Sequence, residues 1–143
     1  MKKIKLPEEI EWLIMDNGVE VRGYSPKQLL SNVQFYEMRP ALRRIYQIFQ
    51  AHIWGGCYKK NEVQIDPDCI VRMKAKPRQY ADEVWHELVH NAQRLSMGDA
   101  KFNWDYAWGF IRHFGFFGDR WKRIYLEKEA FAKQADFMRR VGS

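Results

Sequence analysis

The chain has 143 residues, 46% hydrophobic and 15% aromatic, which is enough apolar mass for one packed domain over residues 1–143 and too much for a disordered segment. A net charge of +6 favours acidic partners or surfaces without establishing a nucleic-acid binder. No apolar run is long enough to span a membrane, Met1–Lys5 leads into Pro7-Glu8-Glu9 and so is no secretory signal, and two cysteines make no disulfide framework; the expected setting is reducing and cytoplasmic, with no membrane partner.

In chain order, Ile10, Leu13 and Ile14 repeat at helical spacing until Asn17-Gly18, and Val19–Arg22 then alternates as a short strand would. Ser25-Pro26 opens a helix carrying Leu29, Leu30 and Val33. A second helix starts at Arg39-Pro40, with Leu42, Ile45, Tyr46, Phe49 and Ile53 along one stripe and His52 near its end. Residues 57–73 read as strands: Glu62–Ile65 alternates, Asp66-Pro67-Asp68 turns, and Cys69–Met73 forms a second strand. His52, Cys57 and Cys69 match no strong metal-binding pattern. After the basic loop Lys74–Arg78, a helix runs from Gln79 to Met97 and stops at Gly98. Residues 99–119 are dense in aromatics and glycine. Trp104–His113 reads as a helix and Gly115–Gly118 as a loop, chiefly core, with a pocket wall or a base-stacking surface as alternatives. A last helix covers Arg120–Val141, its buried side outlined by Trp121, Ile124, Tyr125, Phe131, Ala135 and Met138.

Trp85-His86-Glu87-Leu88-Val89-His90 carries the chemistry. On a helix, His86 and His90 lie one turn apart on one face and can point at a single metal ion. Glu87 lies about 100° round the helix, close enough to hold a water on that metal and take its proton. This is the H-E-x-x-H spacing of a zinc-dependent peptide hydrolase acting on a protein or peptide substrate. Two histidines and a water leave one tetrahedral position for another segment. His113, Glu127 and Glu129 are the candidates, and spacing does not choose among them.

H-E-L-V-H-N-A-Q, an aromatic and glycine-rich middle, and E-K-E-A on the late helix together resemble the small zincin metallopeptidases of the glutamate-ligand type, gluzincin-like, with an HExxHxxQ…ExEA pattern. The resemblance covers residues 80 to 135. It implies a minimal zincin-like α+β domain, with helices packed on a small sheet and a later glutamate helix beside the HExxH helix. It implies zinc held by His86, His90 and Glu129, with Glu127 in reserve and Glu87 as general base. It also implies an exposed strand beside the metal, for which Cys69–Met73 is the candidate, and a Tyr or His that hydrogen-bonds the oxyanion, for which Tyr106 and His113 are the candidates. Family members carry an Asp four residues after the glutamate ligand to orient a histidine. Lys133 stands there in this chain, and Asp136 is the nearest replacement.

Two further readings stay open. A DNA-associated protease similar to the SprT-like zincins would use a third histidine just before a glycine, whereas Phe117 precedes Gly118 here. A non-catalytic zinc-binding interaction domain would have no use for Glu87.

Overall fold

The structure is a computed structural model that describes residues 2–48, 53–115 and 117–142. It is α+β: among the described residues, seven helices and a 3-10 turn surround a small mixed sheet. The strands are β1 (Lys3–Ile4), β2 (Gln34–Glu37), β3 (Gly55–Lys59) and β4 (Glu62–Ile65), in sheet order β1-β2-β4-β3. β1 runs antiparallel to β2, β2 parallel to β4, and β4 antiparallel to β3, which leaves β3 as an outer strand.

Local signals account for most helix ends. In α1 (Glu8–Asn17), Ile10 and Ile14 bury one side, and the Gly18 N–H closes the helix on the Ile14 carbonyl. α2 (Pro26–Asn32) begins with a capping box: Ser25 Oγ accepts from the Gln28 N–H while Gln28 Oε1 accepts from the Ser25 N–H. α3 (Pro40–Ile48) starts at the expected proline. Ile53 is not helical, and Phe49 and His52, read as part of that stripe, lie outside the described residues.

Two expected strands are absent. Val19–Arg22 forms only a bridge, Val21 to Tyr24, around Arg22 and Gly23, both with positive φ (51° and 86°). That is a tight two-residue turn, which ends any strand at once. Cys69–Met73 is helical, within α4 (Pro67–Ala75). The Asp66 carboxylate accepts from the Asp68 N–H and Pro67 occupies the first turn, so the residues read as a turn are a helix start. Ile70 and Met73, three apart, are buried while Val71 is exposed, which is a helical period.

α5 (Pro77–Met97) is the central element and ends at Gly98 with φ 86°. It packs against α1, α4, β3, α6 (Asp99–Arg112) and α7 (Tyr125–Gly142). The main core joins Ile10, Ile14, Val63, Ile65, Met73, Trp85 and Leu88, and Phe137 of α7 stacks on Trp85. Polar side chains also tie α5 to the sheet. Asn91 Oδ1 accepts from the Asn61 N–H at the β3–β4 turn, and Arg94 Nε donates to the Cys57 carbonyl of β3. A second cluster, Phe102, Ile124 and Leu126, holds α6 to the start of α7.

The last helix differs in its start. Arg120–Arg123 is a 3-10 turn and α7 begins at Tyr125. Its buried side is Leu126, Glu127, Ala130 and Phe137, while Tyr125 and Met138, expected inside, are half exposed. No helix among the described residues is long and apolar enough to cross a membrane.

Candidate metal centre

His86 and His90 project from one face of α5, one turn apart, and Glu127 meets them from the first turn of α7. Glu127 Oε1 lies 3.1 Å from His86 Nε2 and 2.8 Å from His90 Nε2, and the two Nε2 atoms are 3.1 Å apart. All three residues are buried. Among the described residues this is the one group of His, Cys, Asp or Glu whose ligand atoms come together closely enough for a metal.

The far sides of both imidazoles are fixed by glutamines. Gln93 Nε2 donates to the Leu126 carbonyl, which turns Gln93 Oε1 onto His90 Nδ1 at 2.8 Å. Gln134 Nε2 donates to Asp82 Oδ2, which turns Gln134 Oε1 onto His86 Nδ1 at 2.8 Å. An amide oxygen only accepts, so each imidazole donates from Nδ1. In the neutral rings both Nε2 lone pairs then face each other and the Glu127 carboxylate. Three acceptors converging in a buried space repel unless a cation, a proton or a metal, sits among them.

The titration of these groups follows that arrangement. For Glu127, burial works against ionisation, but the hydrogen bonds and charges of His86 and His90 outweigh it and hold the carboxyl well below its usual range. For His90, burial again opposes charge, and the Glu127 hydrogen bond and charge prevail, raising it to about 9. Tyr106 of α6 donates to Glu127 Oε2 at 2.7 Å, so both oxygens of this carboxylate are engaged. Burial, then the Glu127 charge, pushes the Tyr106 phenol up, so it stays a donor.

Glu87, next to His86 on α5, reaches the Cys57 backbone of β3 while its carboxylate stays within electrostatic reach of His86, His90 and Glu127. Burial raises its pKa, while His90, His86 and the Cys57 backbone N–H oppose the rise. Its Oε2 is buried without a hydrogen-bond partner among the described residues. A carboxylate oxygen left so is costly unless a bound species supplies a proton or a cation. Nearby, Tyr46 of α3 and Tyr58 of β3 join their hydroxyls. Burial raises both phenols and the Glu87 charge adds to it.

The structure therefore brings His86, Glu87, His90 and Tyr106 of the expected residues together and separates two others. Glu129 is not at the cluster. Arg22 clamps it in a bidentate ion pair (Nη2 to Oε2 2.8 Å, Nε to Oε1 2.9 Å), and Arg22 Nη1 donates to Ser96 Oγ. On α7 the two glutamates lie about 160° apart, on either side of the inward line of Leu126, Ala130 and Phe137: Glu127 turns to the histidines of α5 and Glu129 to Arg22. His113 caps the C-terminus of α6, half-buried and outside the cluster. Asp136, considered as the orienting acid, pairs with Arg139 and Arg140; the orienting group on α7 is Gln134.

Gln134, Asp82 and Tyr58 were not singled out from the sequence, and Tyr46 was read only as part of the α3 stripe. Asp82 precedes His86 by four residues and Gln134 follows Glu127 by seven, so helical spacing could have found both once Glu127 was placed at the cluster. The tyrosines come from α3 and β3, well before α5 in the chain, and no local signal ties them to it. Of the three residues weighed as a second metal cluster, Cys57 and Cys69 are free thiols on β3 and α4, and His52 lies outside the described residues. Neither a protein-family model, nor a curated protein, nor a solved structure matches this chain.

Proposed function

We propose that this protein is a zinc-dependent metallopeptidase with His86, His90 and Glu127 as metal ligands and Glu87 as general base. The observation that carries the reading is the convergence of two oriented Nε2 lone pairs and a Glu127 oxygen beside the unpartnered oxygen of Glu87. Three N/O ligands with a carboxylate alongside are the donor set of a catalytic zinc site, which keeps one position open, whereas a structural site is closed by four protein ligands.

A zinc ion held there would supply Lewis acidity, lowering the pKa of bound water and polarising a carbonyl. Glu87 would take the proton of the attacking water and pass it to the leaving amine; its raised pKa suits a base that must also give the proton back. Gln93 and Gln134 fix the tautomer and aim of the two histidines, and Tyr106 restrains Glu127. β3, not the segment Cys69–Met73, is the outer strand that packs on α5 with Cys57 beside Glu87, which favours an extended peptide laid along β3. The DNA-associated reading needs a histidine as third ligand, and the position of His113 gives it no support.

The test is hydrolysis of a mixed peptide library by the zinc-loaded protein, with Glu87→Gln as control. Cleavage that falls by about 10²–10⁴ in Glu87→Gln while the metal stays bound supports the reading. A metal-loaded wild type that cleaves nothing, or a Glu87→Gln variant as active as wild type, contradicts it and favours a metal held for structure.

A further inference from the structure

α6 is apolar on two opposite faces. Phe102, Tyr106 and Phe110 face the second core cluster, and Gly109 lies against Ile124. Trp104, Trp108 and Ile111, at i, i+4 and i+7, form a stripe on the other side. Among the described residues nothing covers that outer stripe: Trp104 is 67% exposed, Trp108 56% and Ile111 60%. Phe114 and Phe117, just past the helix, are similarly exposed and lie ring against ring. A helix with a second apolar face normally buries it too, and an exposed apolar patch of this density on a small domain marks a contact surface.

The charge beside it says what the contact is. Residues 100 to 124 hold five lysines and arginines against two carboxylates, Asp105 and Asp119. Asp105 is already held by Lys101 and Tyr125. Arg112 stands beside Trp108 on the same face of α6, and Arg120 and Arg123 lie on the 3-10 turn packed against α6. These three arginines are exposed and make no ion pair among the described residues. Tryptophan and phenylalanine projecting from a convex helix, rimmed by unpaired arginines, suit an anionic lipid surface: rings enter the headgroup boundary and guanidinium groups meet the phosphates. A second copy of this chain would bring the same unpaired arginines face to face. Single-stranded nucleic acid favours aromatics set in a basic groove, whereas this stripe is convex and aliphatic at Ile111.

We infer that the outer face of α6, with Phe114, Phe117 and the flanking arginines, is a docking surface for anionic membranes. It lies on the membrane and does not cross it. The inference stands apart from the metal chemistry.

The experiment is co-sedimentation of the full chain with vesicles of phosphatidylcholine alone and of equal parts phosphatidylcholine and phosphatidylserine. Wild type is expected to sediment with the anionic vesicles and to remain in solution with the neutral ones. Trp104→Ser/Trp108→Ser should abolish sedimentation with circular dichroism and melting unchanged, because both rings are exposed. Each of Arg112→Gln, Arg120→Gln and Arg123→Gln should weaken binding about fivefold. Absence of sedimentation with anionic vesicles overturns the inference. So does equal binding to both vesicles, or binding that the tryptophan variant retains. A stripe-dependent dimer in solution, or a single-stranded oligonucleotide that displaces the vesicles, also overturns it.

Discussion

Two amide side chains decide what the metal centre can hold. Gln93 and Gln134 each spend their N–H on an acceptor, the Leu126 carbonyl and Asp82, and so present only oxygen to the histidines. Gln134→Leu and Gln93→Leu should each lower zinc affinity by about 10–100-fold in a competition titration, with the fold intact. The same geometry sets a pH dependence. His90 is raised from 6.5 to about 9, so at neutral pH the metal-free centre carries a proton that zinc must displace. Apparent zinc affinity should therefore rise with pH up to about 9 and then level off. Calorimetry in buffers of different ionisation enthalpy should show proton release on binding at neutral pH. At this scale the sequence was legible wherever the signal is local. His86, Glu87, His90 and Gln93 are fixed by spacing within one helix. Glu127 was not, because the resemblance puts the ligand at the glutamate just before Ala130, and helical spacing alone leaves 127 and 129 on either side of the inward line of α7.

Elements are governed by their ends and by close approach. Gly109 of α6 faces Ile124 so closely that a Cβ there would lie 2.9 Å from Ile124 Cγ2. Ile124 is fully buried and β-branched, with little freedom to yield. Gly109→Ala should thus destabilise by about 1–3 kcal/mol in a thermal melt, although alanine is the better helix former. If it raises the melting temperature instead, the contact is softer than the geometry implies. The helix starts at Ser25-Pro26 and Pro40 and the stop at Gly98 were legible because caps are local chemistry. Asp66-Pro67-Asp68 was misread since the same residues serve turns and helix starts. Only the period after them, Ile70 and Met73 inside with Val71 outside, separates the two. The tight turn at Arg22-Gly23 had a consequence that no local signal gives: it sets Arg22 against Glu129, 107 residues along the chain.

At the scale of the molecule, the centre joins the middle of the chain to its end. The candidate ligands come from α5 and α7, and Tyr106 from α6 between them, so a metal bound there would couple three helices to one another. Zinc at a hundred times its dissociation constant should add about 2.7 kcal/mol of stability, and a chelator should lower the melting temperature accordingly. The α+β class, which the resemblance implied, is the class the described residues show. The order of the sheet, and β3 rather than Cys69–Met73 beside the centre, did not follow from the sequence, because strand pairing between distant segments leaves no local trace.

The most direct test is zinc content per chain, compared among wild type, Glu127→Ala and Glu129→Ala. Wild type and Glu129→Ala should hold about one zinc, and Glu129→Ala should lose only about 0–1 kcal/mol of stability with its half-exposed partner Arg22. Glu127→Ala should lose the metal. Zinc retained by Glu127→Ala and lost by Glu129→Ala, or no zinc in wild type, would contradict the account.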